Sequence, residues 1–220
     1  MYPQKLKVRR DRLQKLDRAL KKLFPAAKIE LKFKNPLQLL VAVQLSAQCT
    51  DKVVNRVTAE LFKKYKTLND YTQVKPAEFV QDIHQCGYYN SKAKNILGAA
   101  RMIKAKFKGR VPRTAVEMLQ LPGVARKTAT VVLSEAYGVV AGITVDTHVI
   151  RFVRRFDLSD HTNPVKIERD LMQLLPKREW PHFTHRVIHY GRYLAPARRY
   201  DTTRDPLVKI YPPAARRFRV

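Results

Sequence analysis

Acidic residues are scarce: only 18 Asp and Glu stand against 44 Lys and Arg in 220 residues, a formal net charge of +26. An excess of that size points to a polyanionic partner, with nucleic acid ahead of an anionic membrane. Cysteine is nearly missing, with Cys49 and Cys86 alone. Two thiols cannot complete a four-ligand metal site, and a disulfide is not expected in a cytosolic protein, so both read as packed thiols. The six histidines, His182, His185 and His189 among them, lack accompanying cysteines or carboxylates and read as ordinary surface or core residues; no metal site is expected. No apolar run approaches the roughly 20 residues needed to span a bilayer. The first residues, MYPQKLKVRR, have no apolar signal-peptide core. A protein that is cytoplasmic, nucleoid-associated and without membrane contact is therefore expected. Long Gly/Ser stretches and internal repeats are also missing, and the length suits one large domain or two small ones.

What is present is helical patterning. Leu13, Leu16, Leu20 and Leu23 recur at helical spacing in residues 5–24, an amphipathic helix with a basic outer face. LQLLVAVQLSAQ has the near-continuous apolarity of a buried helix, whose polar end, Ser46, Gln48, Thr50 and Asp51, must reach a surface. Asp51 is expected to cap a helix over 52–65. A polar turn at 67–71, a short helix over 76–85 and an amphipathic helix over 91–107 follow, the last two separated by CGYYN. Glycine followed by Tyr88 and Tyr89 suits a wedge that stacks against bases, or a packed loop aromatic. Helical patterns recur at 164–175 and 182–194. The fold class is all-α.

The stretch LPGVARKTATVVLSEAYGVVAGITVDTHVIRF is the most distinctive. Thr114 caps a helix running toward Pro122, Gly123 permits a tight turn, and a second helix spans 125–136. This helix-hairpin-helix is either an ordinary corner or an anion site, since amides at a glycine turn and helix start favour phosphate. Lys127 sits where the helix dipole disfavours a cation, so partial burial would favour its neutral amine; the alternative is a solvated surface lysine. Asp146 follows an apolar run and is either a helix cap near Thr147 or a catalytic carboxylate facing Lys127.

LPGVARKTATVVL with VDTHVIRFVRRF, and upstream PLQLLVAVQLSAQCTDKVVN and GYYNSKAKNI, closely resemble the signature of the endonuclease III family, bifunctional DNA glycosylases of the helix-hairpin-helix superfamily. The resemblance covers residues 29–193. It implies two helical domains flanking a DNA-binding cleft: a six-helix domain over 29–139 with the hairpin, and a second built from 1–28 and 140–220. Lys127 matches the family's nucleophile and Asp146 its essential carboxylate. Gln48 matches the glutamine pushed into the gap left by the extruded nucleotide, and Tyr88 stands where well-known members carry a leucine wedge. Ser46, Gly123, Ala125, Arg126, Thr128 and His148 complete the expected DNA-binding set. Adenine glycosylase relatives lack the lysine, so Lys127 argues against that branch.

The family pattern breaks near the C-terminus. HYGRYLAPARRYDTTRDPLVKIY aligns with the segment that carries four iron-sulfur cysteines in typical members, and the matched positions are Ala195, Thr202, Asp205 and Tyr211. No cluster and no other cofactor are expected. Arg198, Arg199 and Arg204 keep the segment basic enough for phosphate contact, and Arg216, Arg217 and Arg219 either add to it or form a solvated tail. The resemblance implies a monomer that acts on double-stranded DNA containing damaged pyrimidines or abasic sites. Base excision with strand cleavage then follows from one amine.

Overall fold

The computed structural model describes residues 3–198 and 200–218, and among them every regular element is helical. Twelve α-helices are found there: α1 (Pro3–Leu23), α2 (Pro36–Leu45), α3 (Asp51–Lys64), α4 (Leu68–Gln73), α5 (Pro76–Ile83), α6 (Tyr89–Lys106), α7 (Ala115–Met118), α8 (Arg126–Tyr137), α9 (Thr147–Arg155), α10 (Pro164–Leu174), α11 (Trp180–His189) and α12 (Pro206–Ile210). The chain divides into two compact units, Glu30–Ala141 on one side and Met1–Ile29 with Gly142–Val220 on the other. None of the described helices is long and apolar enough to cross a membrane.

The continuous unit contains α2 to α8, seven α-helices rather than six. The additional one is α4, where a polar turn was expected. Its first turn is closed by a capping box: Thr67 accepts from the Asp70 amide, and the Asp70 carboxylate accepts from the Thr67 amide. Tyr71 then packs against Tyr65 and Phe79, with ring centroids 5.3 and 6.0 Å away. At the start of α3 the cap is Thr50, whose hydroxyl accepts from the Val53 amide, and not Asp51, which is the first helical residue. The helix capped by Thr114 ends at Met118, short of Pro122. Helix α2 is buried along most of its length, through Leu39, Leu40, Val41, Ala42, Gln44 and Leu45.

In the other unit Leu13, Leu16 and Leu20 of α1 are fully buried in a core with Val149, Phe152, Phe156, Leu171 and Phe183. The expected basic outer face of α1 is only partly outward. Arg9, 1% exposed, turns inward and holds Asp157 at 2.9 Å and Asp160 at 2.7 Å. Arg12 donates to the Phe156 and Asp157 carbonyls at 2.8 Å and stacks 3.9 Å over the Tyr211 ring. Those contacts order the turn at Asp157, whose φ of 49° lies in the left-handed region.

Candidate active site

The hairpin is fastened from below. The Gln44 side-chain amide donates to the Pro122 carbonyl at 2.7 Å, so the buried helix α2 fixes the turn between α7 and α8. Gly123 has φ +72°, and a Cβ there would lie 2.7 Å from Asn95 Cβ; both the backbone and the wall beside it require glycine. The N-cap of α8 is Ala125, a residue whose side chain makes no capping hydrogen bond. No side chain at the N-cap meets the first-turn amides, and a helix N-terminus of that kind favours an anion.

Lys127 lies in that first turn and is exposed. The partial burial expected of it is not found, because its side chain projects from the outer face of α8 while Ala129, Val132 and Leu133 face the core. Arg126 is likewise exposed and Thr128 half-buried.

Two further loops of the same unit reach the hairpin. Gln48, after α2, and Tyr88, before α6, share a cavity of about 230 Å³ with Gln44, Lys92, Asn95 and Gly123. Gln48 is exposed and Tyr88 is 69% exposed. Both have left-handed backbones, with φ 52° and 47°. Such conformations cost non-glycine residues energy and cluster at functional sites. Ser46 is half-buried and donates to the Val43 carbonyl at 2.8 Å, which makes its hydroxyl a helix-end group. Tyr89 is the first residue of α6 and exposed, so it is not a packed loop aromatic. Lys92 and Asn95 were not singled out from sequence. The available signal was Lys92 in register with Ile96 and Ile103, a charge on an apolar stripe.

Asp146 belongs to the other unit, where it N-caps α9 by accepting from the Val149 amide at 2.9 Å. It is half-buried, and the cap occupies one of its two oxygens. His148 is the second residue of α9. Gly191 leaves room for it, since a Cβ there would fall 2.4 Å from His148 Nδ1. Arg198 is exposed, while Arg199 and Arg219 lie outside the described residues.

The segment aligned with the iron-sulfur cysteines has no thiolate donor. Ala195 is fully buried, and Asp205, 1% exposed, is occupied: its Oδ2 accepts from the Tyr190 and Tyr200 hydroxyls and its Oδ1 from the Leu207 amide at 2.8 Å. Arg155 of α9 donates to the Tyr190 hydroxyl at 2.9 Å and stacks 4.4 Å from the Tyr200 ring centre. Burial is the main cause that raises the Tyr190 and Tyr200 hydroxyls above the ordinary tyrosine range, and Asp205 adds to it. No group of three or more His, Cys, Asp or Glu able to hold a metal occurs among the described residues. The residues present do not fit a cluster.

Residues 41–177 match the family model described as HhH-GPD superfamily base excision DNA repair protein. The chain is 49% identical over 180 residues to an endonuclease III of Synechocystis sp., with 82% of each chain covered. Two solved structures are 42% identical with a TM-score of 0.90, and the match covers 96% of this chain and 99% of theirs. One is a non-covalent endonuclease III–DNA complex, the other a trapped endonuclease III–DNA covalent intermediate with an estranged adenine. With a family match over well over half its length and relatives of that identity, this chain belongs to the endonuclease III family of the HhH-GPD superfamily of base excision DNA repair proteins.

Proposed function

We propose that the protein excises oxidised pyrimidines from double-stranded DNA and cleaves the resulting abasic site by β-elimination, with Lys127 as the nucleophile of both steps. The observation that carries this reading is an exposed primary amine on the first turn of a helix whose N-cap residue, Ala125, makes no side-chain capping hydrogen bond. The amides at Gly123 and at the start of α8 hold a phosphate of the damaged strand. Because C1′ is inaccessible in a stacked duplex, the nucleotide must be extruded first. Gln48 and Tyr88 fill the vacated step.

Lys127 Nζ, uncharged, then attacks C1′, and the base departs with the electron pair of the glycosidic bond. Asp146 stabilises the cationic sugar; its cap occupies one oxygen and fixes the carboxylate's direction. Ring opening gives a Schiff base, loss of a C2′ proton expels the 3′ phosphate, and hydrolysis returns the lysine. Lys127 is exposed in the free protein, so its amine is open to the bound duplex. The solved neighbour caught as a covalent DNA intermediate supports this chemistry.

Borohydride is expected to trap a protein–DNA adduct on duplex bearing an abasic site or thymine glycol, and Lys127→Ala to abolish it. An adduct formed by that variant removes Lys127 from its role. We propose further that the protein works without an iron-sulfur cluster, a reading supported by Ala195, Thr202, Asp205 and Tyr211 at the aligned positions. A brown, iron-containing preparation would refute it.

A further inference from the structure

Lys92 lies on the inner face of α6 and is 6% exposed. Its ammonium donates to two backbone carbonyls, Leu45 O at 2.8 Å and Cys86 O at 2.6 Å. Leu45 is the last residue of α2, three before Gln48, and Cys86 closes the 3-10 turn two residues before Tyr88. Terminal carbonyls of helical turns lack intrahelical partners and favour a cation. A buried ammonium is nonetheless costly, and an apolar side chain would fill the same space at less cost if packing were all that was needed. Burial draws the Lys92 ammonium below the usual lysine range. Burial, with help from Cys49, pushes the Cys86 thiol up to about 11, so that neighbour is an uncharged thiol at neutral pH.

We propose that Lys92 is a positioning residue for lesion recognition: by joining the roots of two loops, it holds Gln48 and Tyr88 at the one separation that fits a single vacated step in duplex DNA. The proposal rests on the reading of those two residues as the groups that fill the gap. Among the described residues no backbone hydrogen bond joins residues 45–48 to residues 86–88, and both loops end on a left-handed residue. The ammonium spans them through one buried atom.

The test uses the full chain, a lesion duplex with 2-aminopurine opposite the damage, and a single-stranded oligonucleotide bearing an abasic site. Lys92→Met keeps the stem and removes the donors. It is expected to raise KM for the duplex about 10- to 100-fold and to abolish the 2-aminopurine signal on binding, with kcat and the borohydride adduct on single-stranded DNA unchanged. Gln48→Ala with Tyr88→Ala is expected to raise KM as well, and adding Lys92→Met to that pair to change nothing more. If the Gln48/Tyr88 double variant leaves duplex KM unaltered, the gap-filling reading fails. If it raises KM while Lys92→Met does not, adds in full, or acts on kcat, the role of Lys92 is overturned. Should Lys92→Met not fold, Lys92→Arg, which keeps charge and donors, decides: a duplex KM near wild type is expected, and a KM as high as that of the double variant refutes the proposal.

Discussion

Replacing Asp205 by alanine tests what orders the C-terminal segment. Asp205 is the hub of a buried cluster, accepting from two tyrosine hydroxyls and the Leu207 amide. Alanine removes the cap of α12 and leaves the Tyr200 hydroxyl without this acceptor. It also removes a negative charge that favours the Arg155 cation, which burial draws down and which Tyr190, Tyr200 and Asp205 support. Hydrogen bonds to a charged acceptor contribute about 1.5–3 kcal/mol each but are not additive within one network. A loss of about 3 kcal/mol is therefore expected, toward the low end for breaking a buried ionic contact. For a chain of this length that lowers Tm by about 6–12 °C. Thermal unfolding followed by far-UV circular dichroism at pH 7 reads it directly. Asp205→Asn, which keeps size and one acceptor, should fall between wild type and alanine. A midpoint for Asp205→Ala within about 2 °C of wild type would show that the cluster contributes nothing to order.

Gly123→Ala is expected to cost about 1–2 kcal/mol more than Gly138→Ala, because both need a left-handed backbone but only Gly123 faces a wall, Asn95 at 2.7 Å. Equal losses on urea unfolding would mean that Asn95 yields freely. Acid should unfold the two-segment unit through the turn at 157–160. Hydrogen bonds from Arg9 and Lys5 hold the Asp160 carboxyl well below the usual range, and at Asp157, where burial acts the other way, those from Arg9 and Arg12 prevail. Both groups bind protons more readily when unfolded, so their contribution is complete above about pH 4 and drains away as pH falls below it. Arg9→Met should flatten that slope. An unchanged acid midpoint relative to the neutral value would rule the pair out.

Most of the helices were legible in the sequence because their caps and apolar periods agree: Thr114, Asp146 and Leu13, Leu16 and Leu20 of α1 act as their spacing implies, while Leu23, at the end of the same stripe, is exposed. Helix α4 was not, since LNDYTQ buries only Tyr71 and owes its order to a capping box and to the rings of Tyr65 and Phe79. Lys127 and Asp146 stand out by motif, yet the exposure of Lys127 is a property of which face of α8 the core takes. The role of Lys92 was hidden for a related reason. Its partners are main-chain carbonyls 47 and 6 residues away, and carbonyls have no sequence signature. Likewise the Asp205 cluster joins α9 to residues 35 and 50 positions later, a pairing that local pattern does not reveal.

The left-handed backbones at Gln48 and Tyr88 bear on kinetics. An unconstrained chain seldom visits such angles, so a surface that displays both has done its folding before any duplex arrives. Little ordering entropy remains to be lost on docking, and a strongly cationic protein is already drawn quickly to DNA. Turnover would then be governed at the other end of the cycle, by how fast the severed strand lets go.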